Sequence, residues 1–338
     1  MKQVVITRPG GIEVLKLESR PDPQPAKDEL AIRVKASGIN FADILARKGM
    51  YPDAPKMPCV VGYEVAGIVE AVGEGVDKSL LGRPVFALTR FNGYADLVTV
   101  PASQTFDKPD SLSFEQAAAI PVNYLTAYAL IVVMGSLRAD ESILIHNAGG
   151  GVGLAALDVA KKIGAATYGT ASSGKHAFLK ERGLDHAIDY RGSDWLPALM
   201  QLTDGRGVEL ILDPLGGGHW RKSYKALRAT GRLGMFGVST VAEPGAGGKL
   251  RMVKALVQMP IFHPLPLFAA NKGVFGLNLG HLWHETGKIR AWMQALLDGV
   301  AAGWVRPYVD KSFPLDRAGE AHTYIESRKN IGKVVLTA

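Results

Sequence analysis

Cysteine is almost absent from this chain of 338 residues, in which Cys59 is the only one. A single cysteine excludes a disulfide framework and a cysteine-rich zinc site, and it fits a reducing compartment. The N-terminal run meets Arg8 and Pro9 without the long apolar core of a signal peptide. We therefore expect a cytoplasmic protein.

Long apolar runs are also missing. The best candidate, residues 255–270, is uncharged but too short to cross a bilayer, and Pro260, Pro264 and Pro266 interrupt it. We predict no transmembrane segment. The stretch can be interpreted as a lid, as a dimer contact or as a surface that touches a membrane.

Charge of one sign is never concentrated. The formal net charge is +7, yet the basic residues are scattered and no stacking motif accompanies them. This pattern argues against nucleic-acid binding and indicates a mildly cationic surface that could attract an anionic cofactor.

Two patterns of secondary structure follow each other along the chain. Short alternating runs punctuated by glycine and proline fill residues 1–116, which predicts a small β domain. Strands and helices then alternate, which predicts an α/β domain with a parallel sheet. The predicted strands are 142–146, 166–170, 208–212 and 232–236, and the predicted helices are 152–163, 175–182, 219–227 and 289–299.

A glycine-rich turn joins the first of these strands to its helix, in the sequence HNAGGGVGLAAL at residues 146–157. Ala148 takes the place of the first glycine of a dinucleotide-binding fingerprint, and Gly150 and Gly153 take the other two. Free backbone N–H groups at a helix N-terminus bind anions, and a pyrophosphate comes close to such a turn only if side chains are absent. A tight packing turn is the alternative.

No carboxylate follows the second strand, where the sequence reads GTASSGK at residues 169–175. An acidic residue there would hold the ribose 2′-hydroxyl of NADH. Ser172 and Lys175 suit a 2′-phosphate instead, so we predict NADPH as the cofactor. The alternative is that these two residues form an ordinary cap and a solvated surface.

Several motifs carry a family resemblance over essentially the whole chain. The sequence resembles the medium-chain dehydrogenase/reductase superfamily, its zinc-free quinone oxidoreductase branch and, most closely, the vesicle amine transport protein-like subgroup. The resemblance implies a GroES-like β-barrel catalytic domain at 1–120, completed by 276–338, and a doubly wound Rossmann NADPH-binding domain at 121–275. The matching stretches are 36–43, 62–67, 91–95, 125–128, 148–153, 275–283 and 332–333.

The positions of the zinc ligands in metal-dependent relatives hold Asn40, Tyr63 and Val122 in this chain. An amide, a phenol and an isopropyl group do not make a tetrahedral zinc site. We predict no metal. Without a Lewis acid, the expected substrate is already electrophilic, such as a quinone or an α,β-unsaturated carbonyl.

The resemblance also implies site residues. Asn40, Asp43 and Tyr51 are expected at the substrate, although Asp43 could only orient its neighbours and Tyr51 could only pack a turn. His146 is expected to pack, and a metal set of His263, His281 and His284 has no other support. The expected cofactor-binding residues are Thr126, Tyr128, Gly150, Gly151, Val152, Gly153, Ser172, Lys175, Tyr190, Gly237, Val238, Phe275, Leu277, Arg328 and Lys333.

Together these observations predict a zinc-independent, NADPH-dependent reductase of quinones or related enones, with the nicotinamide in an apolar cleft between the domains. The alternatives are an enoyl-thioester or 2-alkenal reductase, and a membrane-associated NADPH-binding protein of low turnover. The run at 274–279 predicts a homodimer through a sheet edge, because an apolar edge would otherwise stay exposed.

Overall fold

The computed structural model describes residues 1–242 and 257–338. The chain divides into two compact units. The first comprises Met1–Leu125, Gly280–Ala301 and Pro307–Ala338, and the second comprises Thr126–Leu279 and Ala302–Arg306. The first unit contains a two-stranded and a seven-stranded sheet, and the second contains a six-stranded sheet.

The strands and helices are numbered in chain order. The strands are β1 Lys2–Ile6, β2 Leu15–Ser19, β3 Glu29–Gly38, β4 Glu64–Val72, β5 Pro84–Leu88, β6 Leu97–Pro101, β7 Thr105–Asp107, β8 Ser142–Ile145, β9 Ala166–Ala171, β10 His186–Asp189, β11 Val208–Asp213, β12 Leu227–Met235, β13 Gly273–Gly276, β14 Val309–Pro314 and β15 Lys333–Thr337. The helices are α1 Phe41–Arg47, α2 Phe114–Ala117, α3 Pro121–Tyr128, α4 Gly151–Ile163, α5 His176–Glu181, α6 Trp195–Leu202, α7 Gly218–Ala226, α8 Pro264–Ala270, α9 Thr286–Ala301 and α10 Ala318–Glu326.

The first unit is built on a seven-stranded sheet. Its strands run in the order β14-β15-β3-β4-β5-β7, and β6 also pairs with β3. Alternate residues of β3 point to one face, and Leu30, Ile32 and Val34 there join a buried valine-rich cluster. The tail strand β15 pairs antiparallel with β3 through Val335 and Gly38, so the C-terminus returns to the first unit, as predicted.

The second unit has a six-stranded sheet in the order β10-β9-β8-β11-β12-β13, and every neighbouring pair is parallel. This is the order of a doubly wound dinucleotide-binding sheet. The chain winds to one side from β8 to β10 and to the other side from β11 to β13. The switch point therefore lies between β8 and β11.

Helix α4 follows β8 directly. Its buried face includes Leu154, Leu157 and Val159, and it ends at Gly164, whose φ of 93° is the left-handed C-cap that glycine favours. Asp158 is completely buried and accepts hydrogen bonds from Arg182 and Arg306. This pair of contacts explains why Ala302–Arg306 belongs to the second unit.

The elements of the second unit differ from the sequence predictions mainly at their ends. Strand β12 begins at Leu227, earlier than predicted, because Leu227 already pairs with Val208 before an irregularity in the register. A 3-10 turn at Ser173–Lys175 precedes α5. Strand β13 ends at Gly276, so the predicted run at 274–279 is only partly strand. Most of the loop predicted at 241–249, and the first two residues of the stretch 255–270, lie outside the described residues.

Within the described residues one stretch, Phe114–Val133, is long and apolar enough to cross a membrane, with a mean hydropathy of 1.5. Seventy-two per cent of it is buried inside the structure. Core helices of soluble proteins meet the same criteria, so a single stretch of this kind is weak support for a membrane span.

Candidate active site and cofactor site

The glycine-rich turn lies at the carboxyl end of β8, beside the switch point of the parallel sheet. Gly150 is the N-cap of α4, and Gly151, Val152 and Gly153 form its first turn. A Cβ atom on Gly153 would lie 2.3 Å from the carbonyl oxygen of Asn147, so only glycine lets the helix pack this closely on the turn. The turn thus presents the backbone of a helix N-terminus where such sheets bind ligands.

Lys175 reaches back to this turn. A Cβ on Gly149 would lie 2.9 Å from Cδ of Lys175 and 3.8 Å from its Nζ. Ala171 at the end of β9 pairs with Asp189 at the end of β10 in the parallel register. The next residues along the chain, Ser172 and Tyr190, therefore follow the ends of two adjacent strands at the same edge of the sheet. Arg191 also lies here, with its guanidinium 5.9 Å from the centre of the Tyr190 ring.

The other expected cofactor residues of the second unit follow neighbouring strands. Gly237 and Val238 come after β12, and a Cβ on Gly237 would lie 2.9 Å from the Pro214 carbonyl oxygen. Phe275 lies in β13, and the N–H of Leu277 donates to the carbonyl of Met235 at 2.9 Å. Thr126 and Tyr128 lie on α3. Arg328 and Lys333 belong to the first unit.

Asn40 is held in the first unit by a buried ion pair. Glu64 and Lys333 are completely or almost completely buried and form a salt bridge. Lys333 Nζ also donates to Asn40 Oδ1 at 2.7 Å, and Asn40 Nδ2 donates to Glu64 Oε1 at 3.0 Å. The second carboxylate oxygen of Glu64 accepts from the Val122 N–H at 2.7 Å. Because Lys333 can only donate, the oxygen and nitrogen of the Asn40 amide are assigned without ambiguity.

Asp43 is completely buried one turn into α1. Its carboxylate accepts from the backbone N–H groups of Asn40 at 2.7 Å and Gly62 at 3.1 Å, and from the Tyr94 hydroxyl at 3.2 Å. Burial raises the pKa of Asp43 to about 7, although these three donors and the Lys333 charge oppose the rise. Asp43 therefore ties the start of α1 to the chain just before β4.

Three aromatic rings lie near these polar groups. Tyr51 meets Tyr63 edge-on with ring centres 6.3 Å apart, and Tyr63 lies 5.4 Å from Phe91. All three side chains are partly exposed. Burial raises the pKa of the Tyr63 phenol far above its ordinary value, and Asp43 adds to the rise. The phenol is therefore protonated at neutral pH.

Comparison with known proteins agrees with this geometry. Residues 26–110 match the model of the alcohol dehydrogenase GroES-like domain, and residues 182–336 match that of the zinc-binding dehydrogenase. The chain is 37% identical to the synaptic vesicle membrane protein VAT-1 homolog of Danio rerio over 338 residues, which are 99% of this chain and 70% of the relative. The chain is a medium-chain dehydrogenase/reductase.

Solved structures of similar reductases have the same fold. Quinone oxidoreductase of Escherichia coli, complexed with NADPH, superposes with a TM-score of 0.87 at 29% identity, and the match covers both chains completely. CurK enoyl reductase superposes with a TM-score of 0.86 at 27% identity over 99% of this chain and 98% of its own. These comparisons confirm a fold that joins a GroES-like domain to a Rossmann domain, and they place this dehydrogenase/reductase beside the quinone oxidoreductase branch.

The zinc named in one family model does not fit the residues of this dehydrogenase/reductase. Asn40 already uses its amide on Lys333 and Glu64, Tyr63 carries a protonated phenol, and Val122 has no donor atom in its side chain. Structural and catalytic zinc sites use thiolates, imidazoles and carboxylates. The buried Glu64–Lys333 ion pair contacts the Asn40 amide and the Val122 N–H instead.

Other histidines have protein partners. His146 lies within 4.8 Å of Asp213 and His219, the only such group of possible metal ligands in the described parts of the chain. However, the Ser223 hydroxyl lies between them, donating to Asp213 at 2.7 Å and meeting His146 Nε2 at 3.2 Å. This is a satisfied hydrogen-bond network, and it agrees with a packing role for His146. His281 pairs with Asp53 and His263 caps α8, so two of the three histidines of the suggested metal set have protein partners.

Sequence reasoning missed Glu64, Tyr94 and His322. Glu64 directly follows Tyr63, which stands at the position of a zinc ligand in metal-dependent relatives, so an acidic residue there is a sequence signal that could have identified it. Nothing local distinguishes Tyr94 or His322, because their importance arises from contacts between distant segments. Arg191, which directly follows Tyr190 in the sequence, was missed as well.

Proposed function

We propose that this protein is an NADPH-dependent, zinc-independent reductase that transfers hydride to quinones or related conjugated carbonyls. The observation that carries the proposal is the fixed amide of Asn40. Lys333 occupies the amide oxygen, and Glu64 accepts from Nδ2. An amide nitrogen has two N–H groups, so the second is left to donate to a substrate oxygen, as far as the described residues show.

NADPH supplies the hydride when it is bound. The chain's own contribution is to place a donor where negative charge develops on the substrate. Asn40 is partly exposed, whereas the ion pair that orients it is buried, so its N–H does not need to reorganise as the charge appears. The rings of Tyr51, Tyr63 and Phe91 offer flat apolar surface for a conjugated substrate.

The cofactor assignment rests on the second unit. The turn at Gly150–Gly153 suits a pyrophosphate, the segment after β9 holds Ser172 and Lys175 with no acidic residue, and Tyr190 and Arg191 follow the end of the neighbouring strand β10. A 2′-phosphate fits such a cationic edge better than a free hydroxyl does. The quinone oxidoreductase of Escherichia coli, which was solved with NADPH, supports the same assignment.

An enoyl thioester or a 2-alkenal is the rival substrate, since the same hydride chemistry serves both and CurK enoyl reductase has the same fold. The test is to measure NADPH oxidation by the full chain with quinones, enals and enoyl thioesters. We expect turnover with quinones or simple enones to exceed that with thioesters. Absence of NADPH oxidation with all three classes would refute the proposal.

The role of Asn40 is tested by Asn40→Ala, with Gln294→Ala on the exposed side of α9 as the matched loss of an amide. We expect Asn40→Ala to lower kcat by roughly 10–100-fold, less than the loss measured for an oxyanion-hole donor, since a quinone spreads the charge. NADPH affinity and melting temperature should stay close to wild type. Unchanged turnover would leave Asn40 with only a role in the turn before α1.

Tyr51 is tested separately by Tyr51→Phe. If its hydroxyl delivers a proton, kcat falls, and if the ring serves only as a wall, kcat is unchanged. We expect the second result, because Tyr51 already packs edge-on against Tyr63 and water can supply the proton.

Contact with a membrane surface is the second candidate function. In the described part of the stretch 255–270, Val257, Ile261, Leu265 and Phe268 are 69–95% exposed, and relatives are named synaptic vesicle membrane proteins. Exposed apolar side chains that lie together mark interaction sites. Co-sedimentation with anionic liposomes, with and without NADPH, tests it. Ile261→Ser with Phe268→Ser should abolish binding, whereas Leu81→Ser on the first unit should not.

A cytoplasmic homodimer also remains a proposal. Strand β13 pairs only with β12, so its other edge is open within the described chain, and open edges readily pair with another chain. Light scattering at micromolar concentration should give twice the mass of 36.1 kDa. A monomer would refute this, and loss of the dimer in Ile261→Ser with Phe268→Ser would assign the apolar side chains to the dimer contact.

A further inference from the structure

A chain of buried polar groups leads away from Asp43 through the first unit. Asp43 accepts from the Tyr94 hydroxyl at 3.2 Å, and Tyr94 meets His322 Nε2 at 3.0 Å. His322 Nδ1 lies 3.3 Å from Nη1 of Arg47, and Nη2 of Arg47 pairs with Glu326 at 2.9 Å. The side chains of the four residues Asp43, Tyr94, His322 and Arg47 are all 0–2% exposed.

Arg47 fixes the direction of every hydrogen bond in this series of buried polar groups. A guanidinium has only donors, so Nδ1 of His322 must accept and the ring proton must lie on Nε2. Nε2–H then donates to the Tyr94 oxygen, and the Tyr94 hydroxyl is left to donate to Asp43 Oδ2. Burial, helped by Arg47, lowers the pKa of His322 to about 3, so the ring stays neutral.

The Asp43 end of this series of hydrogen bonds reaches the proposed active site. Asp43 uses its two oxygens to hold the N–H of Asn40 and the N–H of Gly62. Gly62, whose φ is 103°, directly precedes Tyr63 and Glu64. The Asp43 carboxylate therefore holds both the backbone at Asn40 and the segment that leads into Tyr63 and Glu64.

We propose that His322 and Arg47 are positioning residues for the reaction, which act through Tyr94 to keep Asp43 bonded to the backbone of Asn40 and Gly62. This inference rests on the proposed function for its effect on turnover, but not for its effect on the structure. It assigns a role to two side chains that touch neither a reacting atom nor the glycine turn.

The test compares His322→Gln with His322→Phe. Glutamine offers one acceptor for Arg47 and one donor for Tyr94, whereas phenylalanine keeps a ring of similar size and offers neither. Hydrogen exchange of the Asn40 and Gly62 amides is the readout that does not depend on activity. We expect His322→Phe to lose about tenfold in protection at both amides and about tenfold in kcat, the scale of one hydrogen bond, and His322→Gln to recover most of both.

Protection in α4, which belongs to the second unit, serves as the control and should be the same in all variants. A fall there as large as at Asn40 would show general destabilisation and overturn the proposal, as would equal behaviour of His322→Gln and His322→Phe. A wild-type protein that oxidises no NADPH would refute the proposed function while leaving the exchange result to decide this inference.

A pH profile gives a further readout. Tyr94→Phe removes one donor from Asp43, leaving the Lys333 ammonium and the Tyr63 phenol as the charged or titratable groups that act on it. The acid limb of kcat should move to higher pH, because Asp43 then holds its proton more tightly. If the His322 variants do not fold, nitrogen NMR of the wild type decides: a proton on Nδ1 overturns the proposal.

Discussion

Two buried aspartates, one in each unit, show how similar surroundings have opposite consequences. Asp43 and Asp213 are both completely buried, each beside a hydroxyl and near a buried neutral histidine. Burial raises the pKa of Asp43 to about 7. Burial acts on Asp213 too, yet its hydrogen bonds from His219 and Ser223 hold its pKa below the ordinary value.

The difference arises from the partners. Asp43 receives two backbone N–H groups and a phenol, which are neutral donors. Asp213 receives the Leu215 N–H, the Ser223 hydroxyl and the imidazole of His219 at 2.7 Å. At Asp213 the hydrogen bonds and nearby charges outweigh burial, whereas at Asp43 burial outweighs the three neutral donors and the Lys333 charge.

The largest effect is expected at the buried ion pair of the first unit, Glu64 and Lys333. Lys333→Met leaves the Glu64 carboxylate buried without its cation, and breaking such a pair costs about 3–5 kcal/mol. Urea unfolding at pH 7 measures the loss. Lys16→Met, at an exposed position of β2 in the same unit, is the control and should change stability by less than about 0.5 kcal/mol. A loss that small in Lys333→Met would show that the pair is not buried in solution.

The two aspartates should give stability profiles of opposite sign. Folded Asp43 keeps its proton up to a pH of about 7, whereas the unfolded chain releases it near 3.8. The contribution of Asp43 is therefore present below about pH 4 and is lost as pH rises to about 7. The melting-temperature advantage of wild type over Asp43→Asn should shrink across that range.

Asp213 should behave in the opposite way. Its folded pKa lies below 3.8, so its contribution is complete above about pH 4 and is lost as pH falls through the folded value. The advantage of wild type over Asp213→Asn should thus be constant from pH 5 to 8 and shrink only in acid. Melting curves of both variants with the same slope against pH would contradict the comparison.

A smaller effect is expected on NADPH affinity, when Lys175 after strand β9 is replaced. Lys175→Ala should weaken NADPH by roughly 1–3 kcal/mol, the range for a hydrogen bond to a charged group, and should leave NADH nearly unchanged. Lys180→Ala, exposed on helix α5 just after Lys175, is the matched loss of charge. Titration calorimetry measures both, and equal wild-type affinity for NADH and NADPH would refute the cofactor assignment.

The smallest expected effect is that of chelation. Since Asn40, Tyr63 and Val122 offer no zinc site, activity and melting temperature should not change in a strong chelator. Elemental analysis provides the second measurement. Stoichiometric zinc that is lost together with activity would show that the ion pair of Glu64 and Lys333 is not what fills this position.

The sequence alone determined the elements and the broad fold. Hydrophobic periodicity located α4 and β8 to within one residue, because a buried strand and an amphipathic helix each leave a local pattern. The glycine turn and the missing carboxylate after β9 were readable for the same reason. Element ends such as Leu227 and Gly276 were not, since pairing with a neighbouring strand decides where a strand begins and ends.

Only the tertiary structure decided the environment of Asn40 and Asp43. Lys333 is separated from Asn40 by nearly the whole chain, and His322 from Tyr94 by more than two hundred residues. Such contacts arise when β15 and α10 return to the first unit, and no local pattern records them. The sequence therefore specified which chemical groups were available, whereas the fold fixed their partners, their burial and the direction of their hydrogen bonds.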